Sequence, residues 1–252
     1  MGRTLITVYG FVAYAAFLAV FVYFIGFVEG LVVPKGVDDG VERAAWLAVL
    51  VDVGLISLFG IQHSVMARPA FKTRWRRFVP KPAERATYVA VSTVTLALVM
   101  WLWQPVPETI WTVKPQPWRG IVYGVSFAGW GILLLATFLI DHFDLFGVKQ
   151  VVRHQQGKEQ THPRFQTPLL YRYVRHPLLL GFLIAFWAAP TMTVGRLVLA
   201  AGMTAYILVA VRYEERDLVA YHGEQYRRYR EQVPMLVPKP GATAADSKDL
   251  DN

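Results

Sequence analysis

The sequence predicts an all-α integral membrane protein: four transmembrane helices followed by a C-terminal apolar helical hairpin. Composition is the first reason. Of 252 residues, 54% are hydrophobic and 17% charged, whereas soluble domains carry charge at about a quarter of their positions. Charge placement is the second. The formal net charge of +8 is not spread over a soluble face; the basic residues cluster between long apolar runs, the pattern that the positive-inside rule produces. Membrane lipid is therefore an expected partner, and nucleic acid is not. The chain has no cysteine, which excludes disulfides, thiolate metal sites and a cysteine nucleophile. No metal site is expected.

Residues 5–28 are almost uninterrupted Leu, Ile, Val, Phe, Tyr and Ala, long enough to cross a hydrocarbon core of about 30 Å. A secretory signal has a shorter apolar core and a cleavage site, so this run reads as a retained first span. Residues 29–43 hold Glu29, Lys35, Asp38, Asp39, Glu42 and Arg43 and are net acidic. The second span is expected over 44–66 and the third over 86–103. Between them Arg68, Lys72, Arg74, Arg76, Arg77, Lys81 and Arg85 oppose Glu84 alone, a topological signal and a contact for anionic lipid. Residues 104–119 are Pro- and Trp-rich, as suits an interfacial loop. The fourth span covers 119–140, where Gly120, Gly124 and Ala128 predict a small-residue face for a close helix neighbour. The loop 141–176 is basic again, with Lys149, Arg153, Lys158, Arg164, Arg172 and Arg175. The charge alternation places the N-terminus, the second and fourth loops and the C-terminus in the cytoplasm. Residues 1–238 read as a single domain, and 239–252 as a polar disordered tail.

The hairpin consists of apolar segments 178–189 and 195–211, broken at Pro190. Its first arm, about a dozen residues at 1.5 Å each, is short for a full crossing. Tyr171-Arg172-Tyr173-Val174-Arg175-His176-Pro177 precedes it and Arg212-Tyr213-Glu214-Glu215 closes it. Pro177 suits a first helical turn, with His176 near the N-cap and free amides facing a ligand. Glu214 and Glu215 would be unfavourable at a helix C-terminus, so the helix is expected to run on with its carboxylates aimed at a partner. Other polar residues fall at the same cytoplasmic depth: Gln62-His63-Ser64, Glu84-Arg85 with Tyr88, and Asp141-His142 with Asp144. Ionisable groups at such positions are functional candidates. Each also has an ordinary reading. His63 can be an interfacial hydrogen-bonding group, the Asp141–Asp144 run a helix cap, and Arg212 with Glu215 a structural ion pair. Tyr226 and Tyr229 read as packing an amphipathic segment against the membrane surface. Asp52, about 16 Å along the helix from His63, reads as a buried helix–helix hydrogen-bonding group.

Arg175-His176-Pro177, Gly181, the apolar hairpin, Glu214-Glu215, the run from His222-Gly223 through Tyr226 to Tyr229, and Val233-Pro234 together resemble the C-terminal signature of the isoprenylcysteine carboxyl methyltransferase superfamily. Leu179 stands where that signature often has Tyr. Upstream, Phe59-Gly60 through Gln62-His63-Ser64-Val65-Met66-Ala67-Arg68-Pro69 to Lys72, Glu84-Arg85 with Thr87-Tyr88, His142-Phe143-Asp144-Leu145-Phe146-Gly147 and Ala189-Pro190-Thr191-Met192-Thr193-Val194-Gly195 resemble the methanethiol S-methyltransferase branch, close to the NnrU-like membrane proteins. With these motifs the resemblance covers nearly the whole chain.

The resemblance implies an S-adenosyl-L-methionine-dependent membrane methyltransferase that converts a small thiol, methanethiol, to dimethyl sulfide. It implies a cytoplasmic-facing site in a bacterial inner membrane, and cofactor contacts at Tyr173, Arg175, His176, Gly181, Arg212, Glu214 and Glu215. No glycine-rich loop follows a strand, so a soluble dinucleotide-type fold is absent. A thiolate is the nucleophile, so a base is needed: His63, or His142 oriented by Asp141 or Asp144, with Tyr88 nearby. Two alternatives stand beside this reading. One is the same fold methylating a carboxylate or lipid-linked acceptor. The other is a haem or transport protein using His63 and His142 inside the membrane.

Overall fold

The computed structural model describes residues 2–160 and 165–239; Arg164 and residues 240–252 of the expected tail lie outside the described residues. In chain order the helices are α1 (Arg3–Glu29), α2 (Ala45–Ala67), α3 (Pro69–Trp75), α4 (Glu84–Leu102), α5 (Trp118–Ile140), α6 (His142–Leu145), α7 (Val148–Gln155), α8 (Pro177–Trp187), α9 (Val194–His222) and α10 (Glu224–Gln232). Among the described residues α1, α2, α4, α5 and α9 are long and apolar enough to span a membrane. The protein is an all-α integral membrane protein.

The four expected spans begin and end within two residues of α1, α2, α4 and α5. The hairpin has the expected short first arm and the expected continuation of its second helix past Glu214 and Glu215. Its first arm, α8, has 11 residues and rises only about 16 Å. Its second arm is no short segment: α9 has 29 residues, about 44 Å at helical rise, more than a hydrocarbon core needs. Nothing after Val211 breaks it, because the polar stretch from Arg212 to His222 contains neither Pro nor Gly.

The described residues fall into two compact units. The first contains residues up to 112, 142–160 and 191–206. Here α1 packs against α4 and α7, and α2 against α4. Gly30 ends α1 in a left-handed conformation (φ 68°), returning its N–H to Gly26 O at 2.9 Å, a conformation that costs glycine little. A feature with no sequence expectation is a short antiparallel ladder between β1 (Thr109–Thr112) and β2 (Thr191–Thr193). It is reinforced by Val194 N–H to Glu108 O and Gly195 N–H to Val106 O, both 2.9 Å. The Asp38 carboxylate accepts from Thr193 Oγ1 at 2.6 Å and from Arg196 Nε at 2.7 Å. The turn of the hairpin is thereby tied to the first and third connections. Asp52 is fully buried and accepts the Gln104 N–H at 2.9 Å, joining α2 to the chain leaving α4 as a buried hydrogen-bonding group.

The second unit contains 113–141, 165–190 and 207–239, and its main helix contact is α5 with α8. The expected small-residue face is not the one used. A Cβ at Gly124 would meet nothing within 4 Å, and Ala128 is exposed. The contact runs instead through Ser126, Gly129, Trp130 and Leu133. Ser126 Oγ donates to Ala185 O at 3.0 Å, and Trp130 meets Phe182 and Phe186 edge-on at about 6 Å. A Cβ on Gly181 would lie 2.6 Å from Gly129 O, so both glycines are needed for this approach. A shift of two residues turns a helix by roughly 200°, which is why spacing alone chose the opposite face.

Candidate active site

The polar centre of the second unit is Glu215, buried on α9. Arg175 Nε lies 2.8 Å from its Oε1, His176 Nε2 lies 3.2 Å from the same oxygen, and Arg230 Nε lies 3.4 Å from Oε2. Three basic side chains from two stretches of chain, Arg175-His176 and Arg230, thus share one carboxylate, which satisfies the rule that a buried charge must be paired. The ordinary alternative of an Arg212–Glu215 pair is not what forms. Arg212 and Tyr213 are exposed while Glu215 faces inward. Glu214, half-exposed, holds Oε2 at 3.8 Å from His176 Nδ1.

Backbone fixes this arrangement. The Arg175 and His176 amides, just ahead of those expected to face a ligand, are bonded to Pro234 O at 2.9 Å and Met235 O at 3.2 Å. Arg175 Nη1 also donates to Arg230 O at 2.8 Å. The chain after α10 therefore returns to close on the start of α8, and Val233-Pro234 belongs to the site as scaffold. Tyr226 and Tyr229, expected on the membrane surface, are instead 2% and 3% exposed in a cluster with Val233. Tyr229 Oη donates to Tyr171 O, and the Tyr171 hydroxyl donates to Ala136 O at 3.3 Å. Burial pushes the Tyr226 and Tyr229 hydroxyls above their usual range, so both stay protonated donors.

Of the expected cofactor residues, Arg175, His176, Glu214 and Glu215 are brought together. Tyr173 is 53% exposed. Gly181 approaches α5, not the second arm. The group fits a ligand that is both cation and zwitterion. Glu214 offers a half-exposed carboxylate, Arg212 an exposed guanidinium, and the Tyr226 hydroxyl is a buried donor with no hydrogen-bond partner.

The first unit holds the two candidate bases. His63 places Nδ1 3.2 Å from Ser92 Oγ, with its ring stacked on Phe59 at 5.3 Å and tilted against Tyr88 at 5.0 Å. His142 is 5% exposed, with Nε2 2.8 Å from Tyr14 Oη and Phe146 at 4.8 Å. Burial holds its imidazole below the ordinary histidine range, so it is neutral near pH 7 and able to take a proton. Asp144 Oδ1 accepts from Gln150 Nε2 at 3.2 Å, and Asp141 caps α5 through its N–H to Thr137 O.

Sequence reasoning missed Arg230, Tyr14 and Ser92. Arg230 sits in a dense basic helix where no position stands out. Tyr14 is one of several hydroxyls in a long apolar run, with Thr7, Tyr9 and Tyr23, and nothing in the run singles it out. Ser92 is an unremarkable polar residue of α4.

The NnrU protein family matches residues 49–240, three quarters of the chain. The chain belongs to the NnrU family. Methanethiol S-methyltransferase 1 of Bradyrhizobium diazoefficiens is 51% identical over 91% of this chain and 81% of its own length. The methanethiol S-methyltransferase of Crocosphaera subtropica is 48% identical over 94% and 93%, and that of Mycobacterium tuberculosis 48% over 95% and 98%. No solved structure matches this NnrU-family chain.

Proposed function

We propose that this protein is a membrane thiol S-methyltransferase that makes dimethyl sulfide from methanethiol, with S-adenosyl-L-methionine as methyl donor. The observation that carries the reading is the near-full-length similarity to proteins bearing that name. The Glu215 cluster supports it by supplying charges of both signs at a buried, scaffolded position. Residues 1–238 act as one methyltransferase domain in a bacterial inner membrane, with the Glu215 end in the cytoplasm, where the donor is made.

When bound, the donor supplies an electrophilic methyl group on a sulfonium. Glu214 would hold its cationic part, Arg212 and the Tyr226 hydroxyl would hold its carboxylate and polar edge, and Tyr173 would cover it. Glu215, already balanced by Arg175, His176 and Arg230, positions these groups. The thiol proton must leave before sulfur attacks. His63 or His142 takes it: Ser92 beside Nδ1 of His63 leaves Nε2 as the basic nitrogen, and burial keeps His142 neutral. With the donor bound, its methyl would pass to the thiolate sulfur as the sulfonium carbon–sulfur bond breaks, leaving the neutral thioether S-adenosyl-L-homocysteine, and the imidazole would release the proton to water. Tyr88, against the His63 ring, limits its rotation; Asp141 and Asp144 fix the chain around His142. Selection of a small apolar thiol rests on size, worth about 1–3 kcal/mol per methylene, so ethanethiol is a slow substrate.

The test is a headspace assay of purified protein with methanethiol and S-adenosyl-L-methionine. Donor-dependent dimethyl sulfide is expected. Its absence, with methylation of a carboxylate or lipid-linked acceptor instead, overturns the reading.

A further inference from the structure

We infer that the Gln62 side-chain amide of α2 is the group that binds the sulfur of the acceptor thiol, in a place that the Met66 thioether fills when no thiol is bound. The substrate class rests on the thiol methyltransferase reading above. Gln62 Nε2 donates to Met66 Sδ at 3.1 Å and to Ser92 Oγ at 3.4 Å. A thioether sulfur carries no hydrogen, so the nitrogen of the amide, not its oxygen, belongs on that side. The chain thus already holds one sulfur by an amide N–H. Met66 ends in CH3–S–CH2, the functional group of dimethyl sulfide, and so stands in for the product. Its three rotatable bonds let it swing aside.

The other end of the amide is unmet. Gln62 Oε1 is buried and has no hydrogen-bond partner, and a buried acceptor without a donor is unfavourable. Met66 cannot fill that role, because its sulfur only accepts. A thiol can, because its sulfur accepts weakly and its S–H donates weakly. The same amide therefore favours methanethiol over dimethyl sulfide, which lacks the donor and leaves more readily. Placement fits as well. Ser92 Oγ, which accepts from Gln62, lies 3.2 Å from Nδ1 of His63, so the amide and one candidate base meet at a single hydroxyl. Phe59 stacks on that imidazole at 5.3 Å and Tyr88 tilts against it at 5.0 Å, and aromatic rings make favourable contacts with sulfur. Once the thiol proton has passed to an imidazole, the amide N–H faces a thiolate, and a hydrogen bond to an ionised acceptor is the stronger kind.

Methyl-13C methionine labelling of the detergent-purified full chain tests the site without the donor. The chain has six methionines, and Met66→Leu, a change that nearly conserves volume, identifies the Met66 signal. Methanethiol should shift that signal saturably, dimethyl sulfide should do so only at higher concentration, and Gln62→Leu should abolish the shift. In the headspace assay Gln62→Leu should raise KM for methanethiol about tenfold. Met66→Leu, which removes the internal rival, should lower it about threefold. A pair that merely packs α2 would move KM in the same direction in both variants, and that result overturns the site. So does a Met66 signal that methanethiol leaves in place while wild type makes dimethyl sulfide, a result that spares the methyltransferase reading. The reverse, a shifted signal with no dimethyl sulfide formed, overturns that reading and keeps the thiol site. If Gln62→Leu does not fold, the wild-type titration and Met66→Leu decide.

Discussion

His142 and His176 are both buried, and their surroundings could hardly differ more. His176 lies among charges: Glu215 at 3.2 Å and Glu214 at 3.8 Å, with Arg175 on the same Glu215 oxygen. His142 lies among rings, with the Tyr14 hydroxyl 2.8 Å from Nε2 and the Phe146 ring at 4.8 Å. The first environment uses its imidazole as one donor in a fixed ionic knot. The second holds its imidazole neutral against the Tyr14 hydroxyl, which must turn away before Nε2 takes a proton. The same residue type therefore serves as an anchor in one unit and as a candidate proton acceptor in the other, and His63, on Ser92 and Phe59, belongs with the second kind.

The largest expected effect comes from the knot. Glu215→Ala leaves Arg175, His176 and Arg230 without their shared anion. Breaking a buried pair by removing one partner costs about 3–5 kcal/mol. Thermal unfolding in detergent should show that loss, together with loss of donor binding by calorimetry. Glu215→Gln should lose less, since an amide oxygen still accepts. If Glu215→Ala melts like wild type, the cluster is surface decoration and the contrast with His142 collapses.

Next is the scaffold under the knot. Gly181→Ala puts a Cβ 2.6 Å from Gly129 O and 2.8 Å from Leu133 N. Both are backbone atoms that cannot rotate aside, so α8 must move off α5 at a cost of about 1–3 kcal/mol. Gly124→Ala, whose Cβ meets nothing, should leave melting unchanged or slightly raised. Equal melting of the two variants would mean that the α5–α8 contact does not hold the start of α8 in place.

These two glycines also show how far the sequence could be read. Spans were legible because twenty apolar residues have few other uses. The ionic residues were legible because charge beside an apolar run is expensive, so Arg175, His176, Glu214 and Glu215 stood out. Which face of α5 packs was not, since Gly124 and Gly129 look equally small and only the neighbour decides. The β1–β2 ladder was hidden for a related reason: strands of four and three residues carry no period, and their partners lie about eighty positions apart. Arg230 was lost among other arginines of α10, because only the folded chain shows which one reaches Glu215.

Tyr14→Phe tests the His142 side of the comparison. Losing the phenol leaves a buried ring nitrogen without its partner, about 1–2 kcal/mol by the usual cost of such a loss. Where the tyrosine hydroxyl donates to Nε2 the bond favours the neutral imidazole, and its removal then raises the His142 pKa. If His142 is the base, the acid limb of kcat/KM moves to higher pH in the variant. An acid limb that stays put, with dimethyl sulfide production otherwise intact, removes His142 from proton transfer and leaves His63.

Ser92→Ala completes the choice and should be the mildest change, since the Ser92 Oγ contacts are long: 3.2 Å to His63 Nδ1 and 3.4 Å to Gln62 Nε2. Its stability cost should be about 0.5–1 kcal/mol. Its kinetic signature is the sharper readout. With Ser92 accepting, the proton stays on Nδ1 of His63 and Nε2 keeps the lone pair; without it the two tautomers compete and fewer molecules present the basic nitrogen. If His63 takes the thiol proton, kcat should fall two- to fivefold with KM for the thiol unchanged, and Ser92→Thr should restore it. A Ser92 that merely packs α4 against α2 would give the small loss of stability with no change in kcat, and Tyr14→Phe would then carry the assignment to His142.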